Sequence, residues 1–130
     1  MNTEALLELA KTVRKNAYAP YSKYMVGAAV LGSNGKVYLG VNVENSSFGL
    51  TICAERNAIA AMVADGCQTF ALCVVVTEDG GTPCGACRQV LREFVQHPDE
   101  TSVHVSNAQG NLTSYSMNEL LPNSFQFPKL

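Results

Sequence analysis

Long apolar runs are missing from this 130-residue sequence, and nothing in it approaches the ~20 consecutive apolar residues that a membrane-spanning helix needs. Runs of Lys or Arg are missing as well, and nine basic against eleven acidic residues leave a net charge of −2. That balance supplies no field to gather polyanions, so neither nucleic acid nor a membrane surface is an expected partner. The N-terminal stretch MNTEALLELAKTVRK interrupts its apolar positions with charge from Glu4 onward, which fits neither an export signal nor a lipidation signal. Repeats, linkers and low-complexity tracts are absent too. The expectation is a cytoplasmic protein with a single domain over residues 1–130 and one apolar core.

The five cysteines are an odd number. Without an export signal they read as thiols, metal ligands or catalytic groups rather than as disulfides. Cys73 lies in the apolar run FALCVVVT and Cys67 follows a helix end, so both read as structural. Cys53, Cys84 and Cys87 remain.

Leu6, Leu9, Ala10, Val13 and Ala17 recur at helical intervals, which predicts a helix over residues 3–17 with Thr3 as its N-cap. Residues 24–31 and 36–41 are β-prone runs around the turn-forming Gly32-Ser33-Asn34-Gly35 and predict a hairpin. CAERNAIAAMVAD predicts a helix over residues 53–65 with Gly66 just past its end. Beyond Glu55, Arg56 and Asn57 this helix is apolar almost all round, which points to burial against other subunits as well as its own sheet. Residues 70–77 read as a central strand covered on both faces. Residues 84–96 read as a helix, 102–106 and 111–115 as strands, and 117–121 as a short helix. This order implies an α/β fold with a roughly five-stranded mixed sheet and helices on its faces.

Chemistry is concentrated in Cys53-Ala54-Glu55 and Pro83-Cys84-Gly85-Ala86-Cys87, each placed where the chain enters a helix. Helix N-termini stabilise anions, so thiolates form there more readily. The two residues between Cys84 and Cys87 let both sulfurs turn inward, and Cys53 closes a third corner, giving three thiolates for one Zn²⁺. Three protein ligands leave the fourth tetrahedral position free, the arrangement of a catalytic rather than a structural zinc. Glu55, two residues after a ligand, is offset from the metal and placed to shuttle a proton. Three thiolates call for a compensating charge, and Arg56 is the best-placed donor to thiolate sulfur. His97 and His104 lack ligand-like spacing.

The chain resembles the cytidine deaminase family, in particular its compact homotetrameric branch with three cysteine ligands. The resemblance is carried, in order, by AYAPYSKYMVGAAV at 17–30, GVNVENSSFGLT at 40–51, TICAER, PCGACRQ and ELLPNSF at 119–125. A non-ligating glutamate followed by P-C-x-x-C is the signature of zinc deaminases as a class.

The resemblance implies a three-layer α/β/α sandwich and a homotetramer with shared active sites. It also implies one zinc per subunit, and hydrolytic deamination of cytidine and deoxycytidine in pyrimidine salvage. By position, Cys53, Cys84 and Cys87 match the zinc ligands and Glu55 the proton shuttle. Asn42 and Glu44 match the ribose-binding pair, and Ala54 offers its backbone N–H to the base. Tyr24, Phe48 and Phe125 match positions that border the base or complete the site from a neighbouring subunit. Phe48 and Tyr24 stand where many relatives carry Tyr and Phe respectively, and Glu78 to Thr82 is short for the family. Two other readings fit the same motifs: a deaminase of another aminopyrimidine nucleoside such as blasticidin S, and a zinc-binding module without catalysis.

Overall fold

The structure, a computed structural model, describes residues 1–129. Helix α1 spans Thr3–Arg14, and it is followed by strands β1, Gly27–Gly32, and β2, Val37–Val41. A short 3₁₀ turn at Phe48–Leu50 leads to α2, Ala54–Ala64, then β3, Phe70–Val76, and α3, Gly85–Phe94. The strands β4, Thr101–Ser106, and β5, Leu112–Ser116, precede α4, Met117–Leu120. The five strands form one sheet in the order β2-β1-β3-β4-β5. Only the β3–β4 pair is parallel, as befits two strands joined through a helix, α3. The predicted α/β fold with a five-stranded mixed sheet is the fold observed.

The apolar run of β3 is explained by what covers it. Val74 and Val76 pack with Leu6, Leu7 and Ala10 of α1, while Cys73 and Val75 pack with residues of α2, α3 and α4 on the opposite face. Residue alternation along one central strand thus feeds two cores. Leu6, Met62, Phe70 and Leu91 are almost wholly buried, and each side chain of this kind contributes roughly 1.5–3 kcal/mol on leaving water.

Three boundaries differ from expectation. The cap of α1 is Asn2 rather than Thr3, because the extended backbone of Asn2 lets its side chain accept the Ala5 N–H at 2.9 Å. That helix stops at Arg14, since the Lys15 N–H closes a tight turn onto Thr12 and Val13 and Tyr18 bridges to Val43. Strand β1 starts at Gly27 rather than at Tyr24, because the Val26 N–H is taken by the Asn42 side chain instead of a strand partner. The remaining elements shift by a residue or so at their ends.

Gly40 in β2 sets where α2 begins. A Cβ there would lie 2.3 Å from the Ala54 carbonyl oxygen and 2.5 Å from the Ala58 nitrogen, so only glycine lets strand and helix approach this closely. Cys53 and Ala54 are thereby held against the sheet.

Candidate active site

Cys53 and Cys84 are the N-cap residues of α2 and α3, both with extended backbone and neither making a side-chain cap hydrogen bond. A Ser or Asp in that place would turn its oxygen back onto the helix. Cysteine leaves the first-turn N–H groups and the positive end of the helix dipole facing the sulfurs. Cys87 sits on the first turn of α3 and is fully buried. The three sulfur atoms lie within 4.8 Å of one another. Zinc with sulfur at ~2.3 Å draws tetrahedral ligands to about 3.8 Å apart, so closing this cluster on zinc needs only a small contraction. The donor set of three thiols from two helix N-termini suits zinc.

Proton sharing within the cluster is already uneven. The Cys53 thiol is pulled down to about 6, chiefly by the hydrogen bond from Cys87; burial opposes this, while Cys84 and the Arg56 guanidinium assist it. Cys87 is pushed up because its proton is the one held in that bond. Arg56 thus stands within electrostatic reach of the Cys53 sulfur, as its place after Glu55 suggested.

Glu55 is 5% exposed, and burial raises its carboxyl to about 7, with the Cys53 charge adding to the effect. Cys73 lies close enough for the Glu55 charge to raise its thiol further, on top of the dominant effect of its own burial.

Cys53, Ala54, Glu55 and Cys84 open onto a cavity of about 290 Å³ that Tyr24, Asn42 and Glu44 also line. That volume suits a small molecule rather than a polymer. Glu44 is preset as an anion. It accepts the N–H groups of Tyr21 at 3.0 Å and Ser22 at 3.2 Å, together with the Ser22 hydroxyl. The Ser22 hydroxyl foremost holds its carboxyl below the usual range. Its unused lone pairs remain available to a hydroxyl-bearing ligand.

Seven of the residues singled out in the sequence therefore meet at one cavity, with Cys87 buried in the cluster and Arg56 beside Cys53. Phe48 is 73% exposed and borders an adjoining hollow with Tyr21, Ser22, Glu44 and Thr51, its ring edge-on to Tyr21 at 5.7 Å. Phe125 is not brought to the cavity of its own chain. It is 70% exposed and lies over α3 beside Gln89 and Arg92.

Sequence reasoning missed Ser22, Thr77, Asp79 and Arg88. Arg88 donates to the Pro83 carbonyl at 2.7 Å, the Leu120 carbonyl at 2.8 Å and the Thr82 hydroxyl at 2.8 Å, so it clamps the segment entering Cys84. Its position directly after Cys87 was the one available signal.

The family model described as cytidine and deoxycytidylate deaminase zinc-binding region matches residues 1–101. The chain is 42% identical over 127 residues to a cytidine deaminase of Sporosarcina psychrophila, covering 96% of this chain and 92% of that protein. Among solved structures it is similar to cytidine deaminase from Burkholderia pseudomallei, with a TM-score of 0.88 at 47% identity over 96% of this chain and 100% of the other. It is also similar to cytidine deaminase from Mycobacterium tuberculosis, with a TM-score of 0.81 at 33% identity over 98% and 99% of the two chains.

Proposed function

The chain belongs to the cytidine and deoxycytidylate deaminase zinc-binding family, and from that premise we propose how its residues divide the work. The protein is a zinc-dependent hydrolytic deaminase that converts cytidine and water to uridine and ammonia. It carries one zinc per chain.

We assign the zinc to Cys53, Cys84 and Cys87, and the compensating charge to Arg56. Zinc held there supplies Lewis acidity, which makes water nucleophilic at neutral pH. Glu55, beside the cluster rather than part of it, accepts a proton from the attacking water. It delivers that proton to ring N3 and carries the next one to the departing amine. Asn42 and Glu44 take the sugar hydroxyls, and the Ala54 N–H takes the base carbonyl. A fixed carboxylate at the sugar end disfavours an added phosphate, so nucleosides, ribo and deoxyribo alike, are the substrates.

The observation that carries this assignment is the burial of an acid beside a three-thiol cluster on a small cavity. Deaminases of other aminopyrimidines such as blasticidin S, and a zinc-binding module without catalysis, are not favoured by the matches to cytidine deaminases over nearly the whole chain.

The test follows ultraviolet absorbance as cytidine becomes uridine. Glu55→Gln should keep its zinc and lose at least ~10²-fold in turnover, the scale of a general acid–base group. Retention of wild-type turnover by Glu55→Gln would overturn the assignment.

We further read residues 1–130 as one domain acting in cytoplasmic pyrimidine salvage, where thiols stay reduced for the metal. The working form is a homotetramer in which Phe48 and Phe125 complete a neighbour's site. The exposure of both rings and of Ala60, Ala61 and Ala64 on α2 supports that reading.

A further inference from the structure

The Tyr24 hydroxyl commits its one proton within the protein. It donates to Asp79 Oδ1 at 2.7 Å, and the same oxygen accepts the Gly81 N–H at 3.1 Å and the Thr77 hydroxyl at 3.2 Å. The Thr77 oxygen in turn accepts the N–H groups of Gly80 at 2.8 Å and Gly81 at 3.1 Å. At its other end, the Tyr24 N–H donates to Ser22 Oγ at 3.0 Å and its carbonyl accepts from Asn42 Nδ2 at 2.8 Å. Ser22 Oγ donates to Glu44.

These bonds form one continuous chain, from the carboxylate assigned to the sugar, through Tyr24, to the loop that runs into Pro83 and Cys84. Ser22, Tyr24, Glu44, Thr77, Gly81 and Thr82 all line the cavity, so the chain of bonds follows its rim. Gly80 takes φ +78, which lets the short segment after β3 fold back under Thr77 and present its N–H groups there. A Cβ on Gly81 would lie 3.2 Å from the Tyr24 hydroxyl, so the loop seats closely on that ring.

We propose that the Tyr24–Asp79 hydrogen bond is a strap across the rim, which makes Asp79 a positioning residue for nucleoside binding. It acts on substrate only through the Tyr24 ring and the Thr82-Pro83-Cys84 segment. The Asp79–Asn107 bridge already ties the segment after β3 to the end of β4, and the Tyr24 hydroxyl adds a hold on the cavity side. Asp79, held below the usual carboxylate range chiefly by the Tyr24 hydroxyl, stays an acceptor throughout the working pH range. The strap rests on the deaminase reading above, because the bound nucleoside is its beneficiary.

A hydroxyl that served the substrate directly would make Tyr24 matter and Asp79 not, and the experiment separates these cases. Tyr24→Phe, Asp79→Ala, Asp79→Asn and the double variant Tyr24→Phe/Asp79→Ala are assayed for cytidine turnover. Amide hydrogen exchange of residues 79–82 is followed in parallel. Loss of one solvent-exposed hydrogen bond predicts a KM raised about fivefold in Tyr24→Phe, and at least as much in Asp79→Ala, which also frees the Gly81 N–H and the Thr77 hydroxyl, with kcat little changed. Exchange in the loop should quicken in both. The double variant should be no worse than Asp79→Ala alone, because Asp79→Ala already removes the bond that Tyr24→Phe removes. Asp79→Asn, which keeps an acceptor oxygen, should recover most of the loss.

Wild-type KM and wild-type exchange in Asp79→Ala, or penalties that multiply in the double variant, would overturn the strap. A wild-type protein inert on cytidine would instead overturn the deaminase reading, and the exchange measurement would still judge the strap.

Discussion

The Asn42 side chain donates to the Tyr24 carbonyl at 2.8 Å while its oxygen accepts the Val26 N–H at 3.0 Å. One amide thereby replaces a strand partner along residues 24–26 and fixes the wall of the cavity that Tyr24 forms. Asn42→Ala leaves two backbone groups without partners beside a buried residue, at a cost of about 1–3 kcal/mol. Chemical denaturation should show that loss, and the cytidine KM should rise with it. An unchanged denaturation midpoint would show that water replaces the amide at no cost.

The thiols should report the metal. Cys84 is exposed, Cys53 half-buried, and Cys73 fully buried with its thiol pushed far up by burial. In the zinc-loaded protein a thiol reagent should label the cluster slowly. Adding a chelator should release fast labelling at Cys84 and Cys53, followed by mass spectrometry, while Cys73 stays silent until unfolding. Equal labelling rates with and without chelator would remove these sulfurs from the metal site.

The Tyr38 hydroxyl donates to Asp65 at 2.6 Å and receives Asn34 Nδ2 at 2.8 Å, tying the start of β2 to the end of α2. This bond foremost, with Lys36 second, holds the Asp65 carboxyl below its usual range. A carboxyl lowered in the folded state gives stability that is full above its unfolded value of about 3.9 and is lost as pH falls through the folded value. Tyr38→Phe should therefore melt below wild type at neutral pH, and the gap should close in strong acid. A gap in Tm that stays constant from pH 7 to pH 2 would assign the effect to packing alone.

Local order was legible in the sequence because its causes are local. The alternation across β3 follows from seven consecutive apolar residues, and the ligand clusters follow from cysteine spacing at two helix starts. The rim was not legible. Tyr24 and Asp79 lie 55 positions apart, and nothing in either neighbourhood marks them as partners. Asn42 reads from the sequence as a sugar contact, and its grip on the Tyr24 and Val26 backbone shows only once the chain is folded. The α1 cap fell to Asn2 rather than Thr3 because both residue types cap helices and backbone geometry alone chose between them.

Ala60, Ala61 and Ala64 form an exposed stripe on α2, opposite the buried Ala58, Ile59 and Met62. Alanine on a solvated face would leave the monomer indifferent to replacement, and an exposed substitution of this kind stays within about 0.5 kcal/mol. Arginine is also among the better helix formers. Ala60→Arg should thus keep its fold and Tm as an isolated chain, yet disrupt any subunit seated against α2. Light scattering at micromolar concentration should show a mass below that of a tetramer. Turnover should fall with it, because Phe125, which is not brought to the cavity of its own chain, reaches a site only across subunits in this reading. A variant with wild-type mass and activity would take α2 out of the interface and leave the two exposed rings without the role assigned to them.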